Sequence, residues 1–221
     1  MPRAPLLVAP GLGGTAIPLV HVLAAIAAVA SERRCVTFTA RGVDDDREPF
    51  SRVEAMAAAH VDEAIAAHPE GPYRIVGWSF GALVAYEIGV QLRREGRDAA
   101  VILLDPLALV DRDPPGAAPA EDPAGSIAQR RLLTAHGLAR ARYRPGPFDG
   151  PVALFRAATA SKAAEATPAL GWDHVVGNSL EVQQLELQRA SGDHRSMLEP
   201  PHAAGLAAAI LAFLDRLGDR A

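Results

Sequence analysis

Residues 77–81, Gly77-Trp78-Ser79-Phe80-Gly81, join a strand-like run to a long helical one, and that junction constrains the whole chain. A serine hydroxyl is a weak nucleophile, and a sharp strand-to-helix turn is one way to leave it exposed to a carbonyl. Glycines two positions to either side remove the Cβ atoms that such a turn would crowd. Upstream, Gly71-Pro72 introduces the β-rich run Tyr73-Arg74-Ile75-Val76, and downstream Ala82 to Ile88 continues at helical spacing towards Gly96. The pattern predicts strand, elbow and helix, with Ser79 as nucleophile and Gly77 and Gly81 as the residues that permit the turn.

Strands and helices alternate around this elbow. The patterning predicts strands at 6–9, 34–39, 73–78 and 100–104, and helices at 17–30, 52–67 and 80–95. Such a rhythm implies an α/β protein, a mostly parallel sheet with helices on both faces. Ser51-Arg52-Val53-Glu54 has the form of a capping box opening the second helix, and Gly96 is placed to stop the third. After Leu104 the rhythm breaks. Residues 113–125 are rich in Pro, Ala and Gly, a helix is expected over 126–143, and only then do strands at 151–156 and 184–190 and a closing helix at 202–217 resume. A break at about 107–147 is long for a plain connection and suggests a lid-like insertion. At 221 residues, 49% of them hydrophobic, the chain suits one domain, 1–221, with a full core.

A nucleophilic serine needs a base and an acid to orient it, and elbows of this kind are followed by acid and then histidine in the chain. Among the seven histidines, His21, His60 and His68 precede the serine; His60 and His68 fall on the polar side of an alanine-rich helix, where solvent is the expected neighbour. His136 lies within the insertion. His194, in Ser191-Gly192-Asp193-His194-Arg195 directly after the last strand, is the expected base; His174 is the runner-up, and His202 follows Pro200-Pro201 at a helix start. Asp105 ends the strand 100–104 at the edge where ligands gather in open α/β sheets, and is the expected acid. An aspartate before Pro106 could instead open a turn. Phe80, next after the serine, and Leu12, in the glycine-rich loop Pro10-Gly11-Leu12-Gly13-Gly14, are expected to turn backbone N–H groups towards a developing oxyanion. That loop has neither the lysine of a phosphate-binding P-loop nor the third glycine of a dinucleotide loop, so no bound cofactor and no metal are expected.

Several classes of partner are disfavoured. The net charge of −4, without a long basic run, gives no nucleic-acid footprint. No signal pattern opens the chain and the longest apolar run, 203–214, is too short for a bilayer, so a cytoplasmic protein without membrane association is expected. The single cysteine, Cys35, is expected to be a buried core thiol.

The runs Pro69 to Glu87, Leu103-Leu104-Asp105 and Gly192 to Leu198 together resemble the terminal (type I) thioesterase domains of nonribosomal peptide and polyketide synthases, over nearly the whole chain. The resemblance implies an α/β-hydrolase fold with a short lid insertion after the family's sixth strand, the acid Asp105 after that strand, and the base His194 in a G-[DN]-H loop. It implies a substrate carried on the phosphopantetheine of an acyl or peptidyl carrier protein, a seryl acyl-enzyme, and release by hydrolysis or macrocyclisation. Trp78 resembles the integrated releasing domains, since free-standing editing (type II) thioesterases tend to have histidine there. Met1 just before the first strand keeps the editing enzyme open as an alternative; a general esterase and a non-catalytic binding protein are further ones. Between Ser126 and Pro147 stand five arginines and no carboxylate. They form either a solvated helix face or, at Arg140 and Arg142, an entrance that attracts the acidic carrier.

Overall fold

The computed structural model describes residues 3–109, 126–157, 169–176, 185–190 and 192–218. Six strands, β1 (Leu6–Val8), β2 (Cys35–Thr37), β3 (Tyr73–Trp78), β4 (Ala99–Leu104), β5 (Val152–Ala157) and β6 (Leu185–Ala190), form one sheet in the order β2-β1-β3-β4-β5-β6. Every described pairing is parallel. Each described residue of β1, β4 and β5 is buried, as is required of strands covered on both faces, and this is why β1 and β4 read as unbroken apolar runs and β5 as one broken only by Arg156.

The pleat sends alternate residues to two cores. Leu7, Ile75, Val101 and Leu103 pack with the helices α2 (Val53–Ala67) and α3 (Phe80–Arg94), and with α4 (Ile127–Arg142) through Ala139. Leu6, Val8, Val76, Ile102 and Leu104 pack on the other face with α1 (Val20–Val29) and α5 (His202–Arg216). Because β1 is flanked by β2 on one side and β3 on the other, the chain runs outwards in one direction after β1 and in the other after β3. Loops after these two strands therefore diverge and leave a crevice at their C-terminal ends, the usual ligand position in open α/β sheets. Among the described residues no helix is long and apolar enough to cross a membrane.

Element positions follow the sequence within one to three residues, and Gly96, at φ +74, turns the chain just past α3 as expected. Four expectations need correction. The strand carrying Asp105 is the fourth of the six, so the insertion expected after the family's sixth strand follows β4 here. Residues 110–125 of it lie outside the described residues. Its second half is built into the core: α4 buries Leu132, Ala135, His136 and Ala139, and Tyr143 just beyond donates to Glu87 Oε2 on α3 at 2.8 Å. Second, the capping box does not form. The N-cap of α2 is Arg52, one residue later, with no side-chain cap, and Glu54 pairs with Arg52 at 3.3 Å instead of reaching back. The cap that does form is at α4, where Ser126 Oγ accepts from Gln129 N at 3.1 Å.

Third, His60 is buried rather than solvated, its ring stacked on Phe38 at 4.8 Å. A helix of alanines offers too little bulk to fill the space above β2, and the imidazole fills it. His68, by contrast, caps the end of α2 and is half-buried. Fourth, Cys35 is half-buried on the edge strand, and burial raises its thiol pKa above the usual value.

Candidate active site

Gly77 and Gly81 make the elbow possible by simple exclusion. A Cβ on Gly77 would stand 2.1 Å from the carbonyl oxygen of Gly81, and one on Gly81 would stand 2.9 Å from that of Pro10. Between them Ser79 is held at φ 55, ψ −116, a conformation that L side chains rarely adopt, which turns the chain from β3 into α3 within a single residue. The Ser79 N–H donates to Leu104 O at 3.0 Å, so the elbow is fastened to the end of β4.

Asp105 is the next residue along that neighbouring strand, also at positive φ (40). Its N–H donates to Phe155 O at 2.7 Å and its Oδ1 accepts from Ala157 N at 3.2 Å, so two bonds to β5 aim the carboxylate. Oδ2 lies 2.6 Å from His194 Nδ1. A carboxylate only accepts, so the Nδ1–H of His194 donates and Nε2 is left as the basic nitrogen.

His194 is presented by a loop that bonds to itself. Gly192 turns at φ +92, and Asp193 Oδ1 accepts from Arg195 N, Ser196 N and Ser196 Oγ at 3.0, 2.8 and 2.8 Å. Those bonds, from Ser196 above all, hold the Asp193 carboxyl below the usual carboxylate range. Met197 and Leu198 are buried beneath, which pins the loop to the α1/α5 core.

The sequence-derived candidates thus fall at one sheet edge. Asp105 and His194 are in direct contact, and Ser79 is joined to them through its neighbours: Trp78 pairs with Leu104 in register, and its indole stacks on the His194 ring at 4.6 Å and 27°. The Trp78 Nε1–H also donates to His194 O at 3.1 Å. This clamp escapes sequence reading because its partners are 116 residues apart. His174 is exposed and His202 packs beside Gly192 at the start of α5; neither meets Asp105.

The glycine-rich loop lies against the start of α3, as the Gly81–Pro10 approach shows. It is closed by Gly11 N donating to Thr15 O at 3.0 Å and Gly14 N to Gly11 O at 2.9 Å. The Leu12 and Phe80 N–H groups are engaged by no hydrogen bond among the described residues, which leaves both donors available. One residue that sequence assigns only to the insertion is also here. His136 on α4 is 1% exposed, its Nδ1 is 2.7 Å from Leu12 O, and its ring stacks on that of Phe80 at 4.9 Å. Beside these residues lies a cavity of about 100 Å³ bounded by Pro10, Met56, His60, Phe80, Val84 and His136.

Arg140 and Arg142 are exposed on the last turn of α4, and none of the contacts of Ser79, Asp105 or His194 is to either of them. Among the described residues no group of three or more His, Cys, Asp or Glu side chains is placed to hold a metal ion.

Residues 4–124 match the family described as "Thioesterase domain". Among curated proteins, the chain is 36% identical over 94 residues to indigoidine synthase of Dickeya dadantii, covering 42% of this chain and 6% of that protein. It is 36% identical over 66 residues to polyketide synthase PksR of Bacillus subtilis, covering 30% and 3%. The chain therefore spans a small fraction of the curated relatives it matches. Among solved structures, a covalent complex of the NocB thioesterase domain with a fluorophosphonate nocardicin G analogue superposes with TM-score 0.72 at 27% identity, covering 96% of this chain and 94% of that one. The thioesterase RedJ from the prodiginine pathway of Streptomyces coelicolor shares the fold with TM-score 0.67 at 24% identity, covering 96% and 90%. A four-domain nonribosomal peptide synthetase superposes with TM-score 0.78 at 23% identity, covering 95% of this chain and 19% of that one.

Proposed function

Because the chain belongs to the thioesterase domain family and carries its α/β-hydrolase fold, we propose that it releases a peptidyl or polyketide chain from the phosphopantetheine thioester of a carrier protein. Residues 1–221 act in this proposal as one domain, with 107–147 inserted. The observation that carries it is the 2.6 Å contact between His194 Nδ1 and Asp105 Oδ2 beside the elbow that exposes Ser79.

Ser79 Oγ attacks the thioester carbon while His194 Nε2 takes its proton, and Asp105 stabilises the imidazolium that results. The oxyanion is met by the N–H groups of Phe80 and Leu12. The C–S bond breaks, the proton passes from His194 to the pantetheine sulfur, and the chain is left as an ester on Ser79. Water, or a hydroxyl or amine of the chain itself, then attacks this ester, with His194 again taking and returning the proton. Water gives the free acid and an internal nucleophile gives a ring. The cavity beside Phe80 receives part of the acyl chain, and Arg140 and Arg142 face the acidic carrier. The enzyme needs no cofactor of its own in this scheme.

The test offers N-acetylcysteamine and carrier-bound thioesters in parallel with simple nitrophenyl esters, reading product masses for loss or retention of water. Preference for the carrier-bound thioester supports release on a synthase, whereas preference for nitrophenyl esters points to a general esterase. Turnover confined to short acyl chains supports the editing enzyme. Ser79→Ala should abolish turnover and fluorophosphonate labelling, and Asp105→Asn should lower kcat by about 10²–10⁴, as a wrongly held imidazole does elsewhere. Labelling that persists without Ser79 overturns the assignment of the nucleophile.

A further inference from the structure

His136 is one of the two buried histidines among the described residues, and beyond bounding the cavity it takes part in no step of the mechanism above. Its partners are the two residues proposed to stabilise the oxyanion. A backbone carbonyl can only accept, so the 2.7 Å approach to Leu12 O places the proton on His136 Nδ1 and leaves Nε2 bare. Among the described residues no other hydrogen bond reaches Leu12: the peptide that carries its N–H is held through Gly11 O by Gly14 N at 2.9 Å, and the peptide that follows is held by His136, so the two bonds together orient the N–H. On the other side the ring lies nearly parallel to Phe80, at 15°, and Phe80 is the first residue of α3.

One imidazole therefore braces the glycine-rich loop and the first turn of α3, and the helix that bears it is anchored. Ala135 and Ala139 are buried on either side, and beyond the helix Tyr143 bonds to Glu87, which also accepts from Gln91 Nε2 at 2.9 Å. Burial holds the imidazole pKa below its usual value, against the opposing pull of the Leu12 carbonyl, so the neutral ring is the form that fills the site.

We infer that His136 is a positioning residue for the oxyanion site, setting the Leu12 N–H and the Phe80 N–H at the separation one tetrahedral oxygen requires. The inference rests on the function proposed above. Oxyanion donors act only within about 2.7–3.1 Å of the developing charge, and loss of one costs about 10²–10³ in kcat. A loosened donor should cost less than a lost one, about 10–10²-fold.

The experiment compares His136→Phe, which keeps a ring against Phe80 but has no N–H, with His136→Asn, whose side-chain N–H₂ can occupy the place of Nδ1. Each full-length variant is assayed for kcat and KM on an N-acetylcysteamine thioester and for inhibition by a trifluoromethyl ketone, whose adduct carries an oxyanion; urea midpoints are recorded separately. His136→Phe should lose about 10–10²-fold in kcat with KM within about twofold, the ketone Ki should rise in parallel, and His136→Asn should recover most of both. Unchanged kcat and Ki in folded His136→Phe, or equal loss in both variants, overturns the inference. Should His136→Phe fail to fold, ¹⁵N shifts of the wild-type imidazole decide: protonated Nδ1 with bare Nε2 supports it, and the opposite tautomer overturns it. A wild-type chain that neither turns over the thioester nor takes a fluorophosphonate at Ser79 overturns the proposed function, and this inference with it.

Discussion

Gly77→Ala is the smallest change that tests whether the elbow is built as described. The new methyl carbon would start 2.1 Å from Gly81 O, 2.4 Å from Gly81 C and 2.8 Å from Ala82 N, all backbone atoms of the first turn of α3. Real Cβ contacts essentially never fall below 3.0 Å, so strand and helix must part by about 0.9 Å. Ser79 sits in the joint that opens. A misplacement of about 1 Å costs about 10²-fold in rate, and forcing a methyl into a packed site costs about 1–3 kcal/mol.

Gly89→Ala is the matched control, since it adds the same methyl within helix α3 itself, about two and a half turns past its first residue. There the nearest atom is Val101 Cγ2 at 2.5 Å, followed by Phe148 Cε2 at 3.2 Å, side-chain atoms of the core rather than backbone atoms of the elbow. We expect both variants to lose comparable stability in urea, but only Gly77→Ala to lose about 10² in kcat per folded molecule, with slower labelling by a fluorophosphonate. Folded Gly77→Ala turning over within twofold of wild type would refute this account of the elbow. Equal loss of kcat in Gly89→Ala would show that helix α3 as a whole, and not its first turn, governs the rate.

Two further outcomes follow from the same geometry. Trp78→Phe keeps a ring on His194 but loses the N–H donated to His194 O, a bond worth about 1 kcal/mol, so kcat should fall about fivefold; Trp78→Ala, which also loses the stack, should fall further, and wild-type kcat in Trp78→Ala would remove the clamp from the account. Burial pushes the pKa of His60 and His136 below that of a free histidine, so the unfolded chain binds more protons as the pH falls through about 6.5: the stability they permit is complete above that pH and is lost towards their folded values, by up to about 1.4 kcal/mol per pH unit each. Urea midpoints should drop between pH 7.5 and 5.5, with a shallower slope in His136→Asn, and a flat profile would show that neither ring is held neutral.

What the sequence determined by itself was local or repetitive. Buried parallel strands are apolar at most positions, so 73–78, where Arg74 is the one charged residue, and 100–104 were legible from composition, and the switch to helical spacing at Phe80 located the elbow because turn chemistry acts over five residues. Asp105 and His194 were within reach of the same reasoning, since each ends or follows a strand and parallel strands bring such ends to one edge. Tertiary structure decided what depends on contact between distant segments. It moved the N-cap of α2 from Ser51 to Arg52, where Glu54 found a side chain instead of a backbone N–H, and it buried His60 against Phe38 where helical periodicity had placed it in water. It also gave Trp78 and His136 their partners, 116 and 124 residues away. Periodicity shows which face of an element turns inwards, but which atom it meets there is set by packing among elements that lie far apart in the chain, and no local pattern in the sequence encodes that meeting.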